Sequence, residues 1–348
     1  MRKQALFIFT ALSSCFCFSA ENTTTSNKLN VPAGQSDTKI NLETDFILWN
    51  RTSVKDQMLG DGIGLTFDSA TGLNTVTNVS SRGSTYSPTF GYKPGVKVTL
   101  GLTLPYDGWD LEASYAWLHL DGSTHFDIDR AKGWQQTYFY WQDNITPILV
   151  SNAKDHRTLS LNLIDLSLGK KFSISRWLLL RPHIGILVTY IPHREKVIYN
   201  YTTSGTPAER KTITYKGNGH GTGCGALVGI DTEWRLANHW SLLGDFSLAN
   251  LYTALKTHTE INLFNLNTGV TTQNMLSSVS MSQMQFVSFL FLGIDWHTHM
   301  KSNRYFLSVQ AGWDFINGFQ NQLVASLSGR IVDAFGVQGF RFGINFNW

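Results

Sequence analysis

Histidine and aspartate recur at close spacing in one stretch of this 348-residue chain: His119, Asp121, His125, Asp127 and Asp129. Imidazoles beside carboxylates can activate water for hydrolysis. Charged groups are equally ordinary in an exposed polar segment, and nothing in the spacing orders these into a site. His297-Thr298-His299 sets two imidazoles on one side of an extended chain, half of a tetrahedral metal site. No carboxylate or cysteine at ligand spacing completes it. Serines are too numerous to single out a nucleophile. Gly217-Asn218-Gly219-His220-Gly221 is glycine-rich, but no helix follows to offer amides to a phosphate, so it reads as a flexible loop leading into a strand. The chain is therefore expected to have no catalytic residues, no metal site and no cofactor, and not to be an enzyme.

What remains is charge at alternate positions between apolar neighbours. Lys97, Asp110, Glu112, Arg181, Asp231, Glu233, Asp245, Asp295, Asp314 and Arg341 form a candidate pore-lining set, and Glu43, Asp45, Lys93 and Arg235 extend it. Water in a lumen solvates such groups and lipid does not. Acids outnumber bases, with Asp245, Asp295 and Asp314 facing inward from consecutive strands. An open lumen would then prefer cations weakly. The alternative is that opposite charges pair and plug a narrow barrel.

These residues sit on strands, because the alternation has period two. Leu42, Thr44, Phe46 and Leu48 alternate with Glu43 and Asp45. Val96 to Leu104, Trp109 to Trp117, Pro182 to Tyr190, Val228 to Trp234 and Trp240 to Leu248 behave alike. So do Leu290 to Trp296, Tyr305 to Phe315 and Phe340 to Trp348. Leu159 to Lys171 is a strand whose phase slips near Leu163-Ile164, read as a bulge. Ten strands result, within a range of ten to twelve.

The connections alternate in length. Pro105 to Gly108, Ser173 to Arg176, Leu236 to His239 and His299 to Asn303 are short. Arg51 to Thr85, Asp121 to Asp155, His193 to Gly219, Lys256 to Ser282 and Gly318 to Phe335 are long and polar. Short turns on one side and long loops on the other are the asymmetry of an outer-membrane barrel. Trp109, Trp177, Trp234, Trp240, Trp296 and Trp348 gather near the short-turn end, where indoles meet headgroups. Within the long segments, Val197 to Thr202 and Lys211 to Tyr215 suggest a projecting hairpin. Tyr138 to Trp141 is an aromatic cluster that packs on the barrel rim or meets another surface. The fold class is all-β: an antiparallel transmembrane β-barrel.

Phe340, Phe342, Ile344, Phe346 and Trp348 form a terminal amphipathic strand. A soluble edge strand this aromatic would aggregate. A lipid-facing one would not, and its pattern resembles the sorting signal read by the barrel-assembly machinery. The N-terminus fits export: Arg2 and Lys3, then an apolar run from Ala5 to Phe18, then Ser19 and Ala20. Leu12-Ser13-Ser14-Cys15 also resembles a lipoprotein box, the less favoured reading. The expected layout is a signal peptide at 1–20, a flexible lead-in at 21–39 and a barrel at 40–348. The formal charge of +3 falls close to neutral without Arg2 and Lys3, which argues against a nucleic-acid partner. Cys15 and Cys17 leave with the signal, so Cys224 either pairs between chains or packs as a small apolar residue. Membrane lipid, the assembly machinery and further copies of the chain are the expected partners.

Four stretches carry a family resemblance: Trp109-Asp110-Leu111-Glu112-Ala113-Ser114-Tyr115, Asp165-Leu166-Ser167-Leu168-Gly169, Leu180-Arg181-Pro182-His183-Ile184-Gly185 and Gly225-Ala226-Leu227-Val228-Gly229-Ile230. They resemble the pore-forming outer-membrane proteins of the Legionella and chlamydial major-outer-membrane-protein-like family. The resemblance implies a porin-like barrel in a Gram-negative outer membrane that lets ions and small polar solutes diffuse. The best-known chlamydial members are cysteine-rich and cross-linked, and this chain, with Cys224 alone, departs from that. A structural or adhesive barrel with a closed lumen is the alternative function, and a barrel protease or phospholipase the least favoured.

Overall fold

A computed structural model describes residues 39–53, 59–60, 63–68, 73–79, 85–86, 89–104, 108–127, 135–136, 150–202, 210–300, 305–326 and 329–347. The expected signal peptide and nearly all of the lead-in, Asp129, Tyr138 to Trp141 and Trp348 lie outside these residues.

Ten strands make the barrel: β1 (Lys39–Ser53), β2 (Lys93–Thr103), β3 (Trp109–Asp127), β4 (Val150–Lys170) and β5 (Leu178–Thr202), then β6 (Arg210–Ala237), β7 (Trp240–Asn265), β8 (Val270–Met300), β9 (Tyr305–Ser326) and β10 (Gly329–Asn347). Each pairs antiparallel with the next, and β10 closes on β1, with Phe342 opposite Phe46. Through the closed band no strand edge is left for another chain to extend, whereas above it the β8 stretch Val270–Val287 pairs with β7 alone among the described residues. The described residues between β1 and β2 and between β3 and β4 add short pairings outside the barrel, such as Ile63–Asp68 with Leu73–Val79.

Following cross-strand partners once round the barrel gives its stagger. The path runs Trp240, Trp296, Val309, Ile344, Thr44 and Val98. It continues through Tyr115, Ile164, Val188 and Cys224 to Tyr252, twelve residues along β7 from its start. Such a stagger over ten strands fits a tilt of about 40°.

Faces follow the period-two rule. Phe46, Leu100, Ile186 and Phe342 are about half exposed on the outside, whereas Asp45, Thr99, Arg181 and Arg341 are buried inside. Trp177, Trp234, Trp240 and Trp296 ring the short-turn end, and Trp117, Tyr190, Tyr252 and Phe286 ring the opposite limit of the apolar band. Leu100→Arg turns a charge toward lipid and is expected to cost about 2–4 kcal/mol near the midplane. Thr99→Arg points into a polar chamber and should be milder. Comparing refolding yields and urea midpoints checks this, and equal damage would mean that the register of β2 is wrong.

The short connections occur where expected, but three of the long ones are mostly strand. β5 to β8 hold 25, 28, 26 and 31 residues. About 9–11 suffice to cross a bilayer. His193 to Gly219 thus reduces to a connection at 203–209, Lys256 to Ser282 to 266–269, and Gly318 to Phe335 to 327–328. The Val197 to Tyr215 hairpin is the continuation of β5 and β6. At 266–269 the Asn265 carboxamide accepts from the Asn267 and Thr268 amides, and Gly269 takes the left-handed φ of +71° that closes the turn.

The reason is an inversion of polarity along each strand. Above Tyr190 the outward positions of β5 are Pro192, Arg194 and Lys196, while Ile191, Val197 and Tyr199 are buried inside. The same inversion produced the apparent slip in β4. Register through Asn162, Leu163 and Ile164 is unbroken, so there is no bulge there. Leu159, Leu161 and Leu163 point in, and Ile164, Leu166 and Leu168 point out.

Candidate functional site

The lower lumen is a chamber of about 870 Å³. It reaches from Lys39, Arg176 and Asn238 at the short-turn mouth up to Trp49, Leu163, Leu187 and Phe289. All ten candidate pore-lining residues point into the barrel. They are not a ring of free charges. Arg181 on β5 is clamped by three carboxylates: Asp110 at 2.6 Å, Asp231 at 2.7 Å and Glu112 at 3.1 Å. Lys171 adds a contact to Asp110 at 3.5 Å. On the opposite wall Arg341 lies 3.6 Å from Asp314 and stacks over the Phe291 ring at 3.4 Å. The Trp49 indole donates to Asp314 at 3.1 Å. Gln310 donates to Asp45 at 3.0 Å and also to Glu43. Ser114 donates to Asp165.

The three aspartates expected to line open water are held by neighbours instead. Asp314 has Trp49 and Arg341, Asp295 lies 3.1 Å from His297 Nδ1, and Asp245 accepts from Ser247 at 3.1 Å. Arg235 pairs with Glu233 at 3.0 Å by the mouth. Lys93 departs from the set: it binds Asp121 at 2.6 Å at the top of β2, where both are partly exposed.

One grouping has the order of a hydrolytic triad. Ser247 Oγ lies 3.3 Å from His183 Nε2, and His183 Nδ1 lies 3.5 Å from Asp231. Gly229 makes the room, since a Cβ there would overlap Ser247 and stand 2.5 Å from His183 Nε2. The hydroxyl donates to Asp245, and Asp231 is already bound to Arg181. That arrangement joins Ser247, His183, Asp245, Asp231 and Arg181 in one polar relay. In the 119–129 stretch the Asp127 and Asp129 side chains lie outside the described residues. His119, Asp121 and His125 alternate along the outer wall of β3, with His119 bonded to Ser160 at 2.8 Å. His297 stacks on Phe306 with ring centroids 5.6 Å apart, and the His299 side chain lies outside the described residues. Cys224 is exposed on the outward face, level with Val188 and Tyr252, so a cross-link through it would lie in the membrane plane.

Above the chamber, apolar side chains fill the barrel. Ile47, Trp49, Leu118, Leu120, Leu161, Leu187, Leu251, Val287, Phe319, Phe335 and Val337 meet there, each no more than 2 % exposed. Nine of the ten strands contribute to this layer, and β2 gives Gly95, whose missing side chain leaves space for Ile47. Sequence reasoning missed the layer, and also the second charge cluster above it. There Arg157 lies 3.0 Å from Asp155 and 2.8 Å from Glu195, all almost fully buried. Tyr199 and Tyr215 are buried beside them, and burial pushes both phenols up. Gly217 to Gly225 lies on the adjacent strand, with Gly217 opposite Glu195 and Gly219 opposite His193. Far from being a loop, its alternate glycines point inward on β6, and a Cβ on Gly219 would stand 2.6 Å from the His193 ring. The available signal was parity: once Arg181 is fixed as inward, Glu195 and Tyr199 must be inward too.

The sequence profile of the family described as Legionella pneumophila major outer membrane protein precursor matches residues 60–348. The chain belongs to that family. Its place is the outer membrane of a Gram-negative bacterium. Among solved structures it is similar to the outer membrane protease OmpT from Escherichia coli, at 10% identity over 89% of this chain and 96% of that one, with a TM-score of 0.47. A major outer membrane protein from Thermus thermophilus gives 10% identity over 90% and 100%, with a TM-score of 0.33. A Pseudomonas aeruginosa FadL homologue gives 10% over 90% of each, with a TM-score of 0.27. A search of curated proteins returned no match. At these scores no residue role passes from the solved structures to this family member.

Proposed function

We propose that this barrel is a closed-lumen surface scaffold, which carries a packed β-stalk and the connections at its tip above the outer leaflet. The apolar layer is the observation that supports this reading most. An ion crossing it must shed its water without gaining partners, at a cost of several kcal/mol. Ten strands are also few for an open channel, which commonly uses about 16–18. The charged lower lumen then serves as the polar core of a narrow barrel, with its ion pairs bracing opposite walls.

A second reading, passive diffusion of ions and small polar solutes, is supported by the chamber beneath the layer. Planar-bilayer recording separates the two. Purified, folded wild-type protein is expected to give no discrete current steps. A steady unitary conductance would replace the scaffold reading with the porin one.

The C-terminal strand is assigned to recognition by the assembly machinery. Phe340, Phe342 and Ile344 present one apolar face outward, in register with β1. Deleting Trp348 is expected to lower surface levels severalfold, with unassembled chain in the periplasm. Unchanged surface levels would remove that role.

A further inference from the structure

We propose that the outer wall of β4 to β7, just above the upper aromatic ring, binds phosphorylated lipid headgroups of the outer leaflet. Above the apolar band, four consecutive strands turn basic residues outward, set among neutral ones such as Thr158, Pro192, Asn218 and Ala254. The basic residues are Lys154 and His156 on β4, Arg194 and Lys196 on β5, Lys216 and His220 on β6, and Lys256 and His258 on β7. Register brings them together. His156 is opposite Lys196, which is opposite Lys216, and His220 is opposite Lys256. Like charges placed directly across a sheet repel. The acids described on this wall are already engaged, Asp121 by Lys93 at 2.6 Å and Glu260 by Lys216 at 3.3 Å. Lys154, Arg194, Lys196 and Lys256 therefore share an excess of positive charge that an anion from outside would relieve.

Position selects the source of that anion. Directly below lie Tyr190 and Tyr252, and then Val188, Ile186 and Leu248, all exposed and apolar. An acyl chain on that lower surface would bring its headgroup phosphate to the basic residues. Tyr190 also packs near His220, with ring centroids 6.0 Å apart, which joins the two surfaces. The face is one-sided. At the same register β8 turns Ser278 and Ser280 outward, opposite His258 and Lys256. A merely solvated belt would have no reason to stop there.

The test uses the full chain folded into phosphatidylcholine nanodiscs. Binding of lipid A carrying both phosphates, of dephosphorylated lipid A and of inorganic phosphate is followed by native mass spectrometry. Wild type is expected to retain bisphosphorylated lipid A, to release the dephosphorylated form, and to be unaffected by millimolar inorganic phosphate. The variant Lys154→Gln/Arg194→Gln/Lys196→Gln/Lys256→Gln should bind about a hundredfold more weakly, since each cation near an anionic surface adds to affinity. Its surface changes leave the interior untouched, and heat-modified gel migration confirms folding. Lys39→Gln/Arg176→Gln, at the other end of the barrel, should bind as wild type does. Equal retention of dephosphorylated lipid A, displacement by inorganic phosphate, or full binding by the fourfold variant would overturn the proposal.

Discussion

Arg181→Leu is expected to leave the chain largely unable to assemble, with a stability loss of about 3–5 kcal/mol if any folded protein is recovered. The guanidinium is the shared partner of Asp110, Glu112 and Asp231, which approach it from β3 and β6. Without it, three carboxylates face one another in a confined space. Arg181→Lys should recover only part of the loss, because an ammonium cannot form the forked contacts that now reach both strands. Adding Asp110→Asn and Asp231→Asn to Arg181→Leu should restore much of the folding. Urea midpoints and heat-modified migration measure both effects. A single variant as stable as wild type would show that the cluster is solvated and that Arg181 braces nothing.

The second large effect is expected from the apolar layer. Leu118 and Leu161 are direct cross-strand partners on β3 and β4, and both are fully buried. Leu118→Ala and Leu161→Ala should each cost about 2–5 kcal/mol through lost burial and an incompletely collapsed cavity. Because the two touch, the double variant should depart from the sum of the singles. The functional change should be larger than the thermodynamic one. Thinning the layer at this point is expected to turn a silent barrel into one with flickering ion current. A double variant that destabilises the barrel yet stays silent would mean that the seal lies elsewhere along the interior.

How far the sequence could be read depends on height above the membrane. Within the lipid band, alternation such as Trp240, Leu242, Phe246 and Leu248 against Ser241 and Asp245 identifies both strand and face. There the apolar side must be outside, so inward residues such as Arg181 and Asp314 follow directly. Period two states only that the faces differ. Beyond the lipid, water wets the outside and the packed interior takes the apolar role, so Leu159 and Leu161 point inward on the strand whose Leu166 points outward. Read with a lipid-facing rule, that inversion looks like a bulge, and polar stretches such as His193 to Gly219 look like loops. The pairing of Arg181 with Asp110 was not legible, because register across the β4 that separates their strands decides it. The Arg157 cluster was hidden for the same reason, its charges resembling those of any exposed segment.

The length of β8 has a consequence for what a visitor to the cell meets first. From Phe286, in the upper aromatic ring, the strand continues to Val270. At the usual rise and a tilt of about 40°, that segment climbs about 40 Å. The turn residues Leu266 to Gly269 are therefore carried out past the headgroups on the paired strands β7 and β8, not draped over the lipid. An antibody or a neighbouring cell would reach them without contacting the bilayer, while the basic wall near the base stays hidden among sugars and lipids. Exposure to the outside world and attachment to the leaflet are thus assigned to opposite ends of the same strands.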